Sequence, residues 1–107
     1  MADLNDLFAA LGHPVRLGIV ERLLREGELS AGDLVRDGAM SPPAMSHHFK
    51  LLREAGIVSQ RVDRQRRLYT VRPEALRAIG TWSLTWRDFW EGGLDRLESA
   101  LNQAKDH

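Results

Sequence analysis

His13, His47 and His48 are the residues with which acid–base chemistry or metal ligation would begin in this chain. What surrounds them supports neither. No nucleophile elbow, phosphate-cradling glycine loop or metal-ligand spacing accompanies them. His47 and His48 are adjacent, and adjacent helical positions diverge by about 100°, so they share a ligand sphere poorly. Each histidine also sits on a segment with a better structural explanation, and the chain reads as a non-enzyme. The absence of cysteine rules out disulfides, thiolate metal sites and thiol redox sensing.

The cations carry a different chemistry. Formal net charge is zero over 107 residues, but its distribution is uneven. From Met1 to Ser46 there are four Arg/Lys against seven Asp/Glu, and from Pro73 to His107 four against six. Between them, His47 to Arg72 holds seven against two, a net of +5, with Arg61, Arg64, Arg66, Arg67 and Arg72 crowded together. A positive middle between acidic flanks is the footprint of a polyanion-binding face on a neutral protein.

The element that must present this face is Ser41 to Val58, SPPAMSHHFKLLREAGIV. Ser41 can cap a helix start, and Pro42 and Pro43 sit just inside it, where a missing N–H is harmless. Met45, Phe49 and Leu52 form one apolar stripe closed by Ala55, and Gly56 supplies the stop. Ser46, His47, Lys50 and Arg53 lie off the stripe and face outward, with His48 nearer the packing edge. A short helix anchored on one side, with small polar and cationic groups on the other, suits a DNA major groove. Ser41 and Ser46 are small donors for phosphate or base edges, His47 and His48 are further DNA contacts, and Lys50 and Arg53 hold phosphate.

Its supports follow from the same patterning. Leu4, Leu7, Phe8 and Leu11 make a short amphipathic helix ending at Gly12. Pro14 opens the next, Val15 to Arg25, which buries Val15, Ile19, Val20, Leu23 and Leu24, exposes Arg16, Glu21, Arg22 and Arg25, and stops at Gly27. Ser30 caps a brief third helix with Asp33 three residues on, as in a capping box. Two short helices joined by a tight Gly-containing turn, over about residues 30–55, form a helix-turn-helix pattern.

Beyond Gly56, residues 57–71 read as two strands joined by the arginine-rich connection Asp63-Arg64-Gln65-Arg66-Arg67. That connection contains no glycine, so a tight two-residue turn is not assured. A hairpin here would be a wing, its tip residues Arg64, Gln65, Arg66 and Arg67 reaching phosphates or a minor groove. Pro73 then restarts a helix over about 73–104, with Trp82, Trp86, Phe89, Trp90, Leu94, Leu97 and Leu101 at steps of three or four. Gly92-Gly93 predicts a bend or a close backbone approach. So long an apolar face exceeds what a small domain covers alone, and a homodimer is the economical reading. A membrane-surface helix is the weaker one, because the polar face is acidic.

The length fits one domain, residues 1–107, mainly α with a small β-hairpin. No apolar run approaches the roughly 20 residues a membrane span needs. The opening MADLNDLFAAL is acidic and amphipathic, unlike a signal peptide, so a cytoplasmic address with no membrane partner is expected.

The runs LGHPVRLGIVERL, GELSAGDLV and MSHHFKLLREAGIV, followed by the hairpin ending RLYTV, resemble the ArsR/SmtB winged-helix repressors. The tail TWRDFWEGGLDRLESAL is similar to that of a metal-independent branch. The resemblance implies a winged helix-turn-helix that dimerises through its first and last helices, adding Leu4, Leu7 and Phe8 to the aromatic face. It also implies repression from a palindromic double-stranded DNA operator near the protein's own promoter. The best-known metalloregulators of the family carry a cysteine box in the third helix, where this chain has Ser30 and no thiol. The family's other metal site lies on the last helix, where only Asp88, Glu91, Asp95, Glu98, Asp106 and His107 are candidates. No metal cofactor is expected, and the alternative is a metal- or small-ligand-responsive repressor with a non-cysteine site. Any inducer is unknown. Pro42 and Pro43 stand where the family often has a polar base contact, so base reading falls chiefly to Ser46 and His47, with Lys50 a further candidate beside its phosphate role.

Overall fold

The computed structural model describes residues 3–36, 38 and 40–105. The chain runs through α1 (Leu4–Leu11), α2 (Pro14–Glu26), β1 (Leu29–Ser30), α3 (Ala31–Arg36), α4 (Pro42–Glu54), β2 (Val58–Asp63), β3 (Arg66–Val71) and α5 (Pro73–Lys105). Local chemistry sets most of these limits. The Asp3 carboxylate accepts from Asn5 N at 2.8 Å to cap α1. At α2, His13 Nδ1 accepts from Val15 N at 3.1 Å ahead of Pro14. Gly27, at φ 83°, ends α2 in a conformation that a side chain would strain. Ser30 and Asp33 form the expected reciprocal cap: Asp33 N donates to Ser30 Oγ at 3.1 Å, and Ser30 N to Asp33 Oδ2 at 3.3 Å. Hydrogen bonding from Ser30, side chain first and backbone second, holds the Asp33 carboxyl below its ordinary value.

Helix α4 begins on Ser41, whose Oγ accepts from Ala44 N at 3.4 Å. It ends in a Schellman arrangement, with Gly56 N donating to Arg53 O and Ile57 N to Leu52 O, both at 3.0 Å. Leu52 and Ile57, brought together by that closure, are almost fully buried. They join Leu7, Ile19, Val20, Leu23, Leu34, Met45, Phe49, Val58 and Tyr69 in one core under the sheet and helices. The Phe49 and Tyr69 rings meet with centroids 4.8 Å apart, fastening α4 to β3.

The sheet has three antiparallel strands in the order β1-β3-β2, one more than the sequence predicts. The added strand is the two-residue β1, which pairs Leu29 with Tyr69 and Ser30 with Leu68. The β2–β3 hairpin closes at Asp63 opposite Arg66, leaving a two-residue turn of Arg64 and Gln65. The turn is tight despite having no glycine because Arg64 itself adopts φ 59°.

Helix α5 continues unbroken through Gly92-Gly93. At about 1.5 Å per residue it is some 50 Å long, which accounts for a molecule measuring 73 × 30 × 22 Å. Of its residues only Ala75 is buried, with Ala78 and Ile79 packed beside the core. No helix among the described residues is long and apolar enough to cross a membrane.

Two expectations about burial require correction. Leu24 is half exposed, because it shares with exposed Leu17 the face of α2 turned away from buried Leu23. Leu7, which the family resemblance adds to the dimer-forming residues, is completely buried within the protomer, while its neighbour Phe8 remains partly exposed.

Candidate nucleic-acid interface

Because Met45, Phe49 and Leu52 anchor α4 in the core, the opposite side of the helix carries Ser46, His47, Lys50 and Arg53, all exposed. Ser41, Pro42 and Pro43 are exposed at its leading end. Lys50 makes a long ion pair, 3.9 Å to Glu54 on the next turn. These groups are small or cationic, solvated and on a rigid element, as a helix that enters a groove requires.

His48 lies on the packing side of α4, the edge to which its sequence position assigns it, and more deeply than His47. It is 6 % exposed and packs against the α1–α2 corner. Its Nδ1 lies 3.3 Å from Arg16 Nη1, and its ring centroid is 4.7 Å from that of His13. Burial first, then the nearby His13 and Arg16 charges, push His48 below the ordinary histidine value. Arg16, expected to be exposed, is correspondingly turned inward, its Nε donating to Ala10 O at 2.6 Å. A signal for both was present. Positions 45, 48, 49 and 52 have the spacing of one helical face, and a polar residue on such a face is buried with a partner.

The hairpin supplies the second part of the surface. Arg64, Gln65, Arg66 and Arg67 are all exposed, and none of the three arginines is in an ion pair among the described residues. Gln65, Arg66 and Arg67 line a cleft with Ser30, Ala31 and Gly32, so the hairpin tip lies beside the start of α3. Two other cations of the basic stretch are engaged. Arg61 is held by Glu28 in a two-pronged pair, and Arg72 lies 3.8 Å from Glu74. The hydrogen bond from Arg61 holds the Glu28 carboxyl below its ordinary range, and the same bond raises Arg61.

Along α5, Trp82, Trp86, Phe89, Trp90, Leu94, Leu97 and Leu101 are exposed, from 41 % at Trp82 to 62 % at Phe89. Phe8 of α1 meets Trp82 edge-on at 4.9 Å, and Leu4 shares a cleft with Trp82, so the ends of α1 and α5 adjoin. The rings continue edge to edge, Trp82 to Trp86 at 5.8 Å and Trp86 to Phe89 at 5.7 Å. Asp88, Glu91, Asp95 and Glu98 are exposed on the same helix, with Glu91 bonded to Arg87 at 3.1 Å. Within one protomer they do not fit a metal, since no three ligating side chains converge among the described residues. Asp106 and His107 lie outside the described residues.

Comparison with known proteins agrees with this geometry. The model of the bacterial regulatory protein, arsR family, matches residues 13–60, from the α2 cap into β2. The HTH-type transcriptional regulator Rv2034 of Mycobacterium tuberculosis is 43% identical over 72 residues, 67% of this chain and 66% of its own length. The transcriptional repressor SdpR of Bacillus subtilis is 30% identical over 83 residues, 78% of this chain and 91% of its own. A crystal structure of an ArsR family transcriptional regulator shares the fold with a TM-score of 0.74 at 26% identity, covering 82% of this chain and 96% of that one. The chain belongs to the ArsR family, whose members are winged helix-turn-helix, DNA-binding transcription regulators and not enzymes.

Proposed function

We propose that the protein is a homodimeric repressor that binds a palindromic operator and controls its own promoter without a metal cofactor. The observation that carries this reading is the bare aromatic face of α5, continuous with Phe8 and Leu4 of α1. Its side chains are too large and too many to stand in water without a partner. A second copy related by a two-fold axis would cover that face and set two α4 helices about one helical turn of DNA, roughly 34 Å, apart. In each half-site Ser46 and His47 would reach base edges, and Ser41, Lys50 and Arg53 would hold phosphate. Arg64, Gln65, Arg66 and Arg67 would lie on the flanking backbone or minor groove. Metal independence is supported by the absence of any cysteine from the chain. The cytoplasm is where such a target lies.

The test is a mobility-shift titration with the DNA upstream of the protein's own gene at low salt, paired with sedimentation of the free protein. A dimer that retards this DNA and protects an inverted repeat is expected. A monomer, or no retardation, refutes the reading. Operator affinity that changes when zinc or nickel is added would instead identify a metal-responsive repressor.

A further inference from the structure

Arg16 stands in the first turn of α2 and reaches in two directions. Its Nε donates to the Ala10 carbonyl near the end of α1 at 2.6 Å, and its Nη1 meets His48 Nδ1 on α4 at 3.3 Å. A guanidinium has no acceptor, so His48 Nδ1 must offer its lone pair, and the ring is neutral with its proton on Nε2. His13 Nδ1 likewise accepts, from the Val15 N–H that starts α2.

The groups facing His48 are few and mostly basic. From its own helix comes His47, 5.9 Å away between ring centroids. From the α2 end come His13 and Arg16. On the α1 side, the cleft lined by Arg16 also holds the exposed carboxylates of Asp6 and, from α4, Glu54. A proton added at His48 Nδ1 would set donor against donor and cation against cation. Desolvation already pushes this imidazole below its ordinary value.

We propose that Arg16 and His48 form a proton-sensitive clamp. With His48 neutral, Arg16 is a positioning residue that fixes α4 relative to α1 and, through Phe8 and Trp82, relative to α5. Protonation of His48 opens the clamp and weakens operator binding. The proposal rests on the DNA-binding reading above. The clamp is intact above the free imidazole value of about 6.5 and is lost as pH falls below it. This sign opposes simple electrostatics, since positive charge added to a protein on acidification would tighten binding to phosphate.

The probe is a duplex recovered by in vitro selection from random DNA at about pH 7.5, with affinity followed by anisotropy down to about pH 5.5 at constant ionic strength. Wild-type affinity should fall about tenfold over this range. His48→Asn keeps a carbonyl acceptor for Arg16 but has no titrating ring, and its affinity should stay flat relative to its own value at high pH. A second measurement covers a variant that fails to fold: nitrogen NMR of the wild-type imidazoles. His48 Nδ1 should resonate as an unprotonated nitrogen at neutral pH, and its titration should shift the Ala10 and α4 amides along one curve. Affinity that stays constant or tightens on acidification overturns the proposal, as does His48 titrating while those amides stand still. If selection recovers no duplex, the DNA-binding reading fails, and the NMR curve still decides whether the clamp opens.

Discussion

Glu28 engages two donors of Arg61: Oε2 accepts from Nε at 2.8 Å and Oε1 from Nη2 at 2.6 Å. The pair spans β3, joining the residue before β1 to the outer strand β2, and it withdraws one cation from the basic surface. Glu28→Gln should return that charge. Binding to any duplex should tighten, and the slope of log affinity against log salt should steepen by about 0.9, with little change in melting temperature because the pair is exposed. An unchanged slope would show that Arg61 lies out of reach of DNA.

Arg64 separates stability from binding. It occupies the left-handed region at φ 59°, where glycine is unstrained. Arg64→Gly should stabilise the fold by about 0.5–1 kcal/mol once glycine's greater freedom in the unfolded chain is deducted. DNA affinity should fall at the same time, with a shallower salt slope. Denaturant melts and salt titrations check the two halves independently. Arg66→Ala and Arg67→Ala should weaken all sequences alike, each lowering the slope by about one.

On the recognition helix the expected effects differ by position. Ser46→Ala or His47→Ala should change which base is preferred within the half-site, by about 1–3 kcal/mol at the affected step. Lys50→Ala and Arg53→Ala should reduce affinity without altering preference. A repeated in vitro selection with each variant distinguishes them, and an unaltered consensus for His47→Ala would remove it from base reading.

Trp86→Asp and Trp90→Asp place a charge in the middle of the exposed aromatic face. Sedimentation should show monomers, and operator binding should disappear with the second α4. Persistence of the dimer would place the interface elsewhere.

Much of this was legible in the residues. Caps and stops at Ser30, Ser41, Gly27 and Gly56 set helix limits by local chemistry, and Met45, Phe49 and Leu52 set the orientation of α4. What escaped was non-local or mixed in character. β1 is two residues whose pairing is decided by Leu68 and Tyr69, nearly forty positions away. His48 and Arg16 are polar by type, and their contact with each other, like that of Arg16 with the Ala10 carbonyl, is invisible until α1, α2 and α4 are packed. Leu24 was misjudged for the opposite reason, since it is apolar by type but shares the exposed face of α2 with Leu17. The basic stretch was visible as composition, whereas its division into engaged Arg61 and Arg72 and, among the described residues, Arg64, Arg66 and Arg67 outside any ion pair depended on where Glu28 and Glu74 came to rest.

All three tryptophans of the chain, Trp82, Trp86 and Trp90, lie on exposed α5, while its single tyrosine, Tyr69, is buried in the winged core. Intrinsic emission therefore divides by location. Excitation at the red edge reports only on the long helix, and whatever covers that face moves the emission toward the blue. Unfolding of the core leaves the same signal nearly silent unless the helix melts with it. The molecule thus carries a built-in optical probe of association, readable without a label.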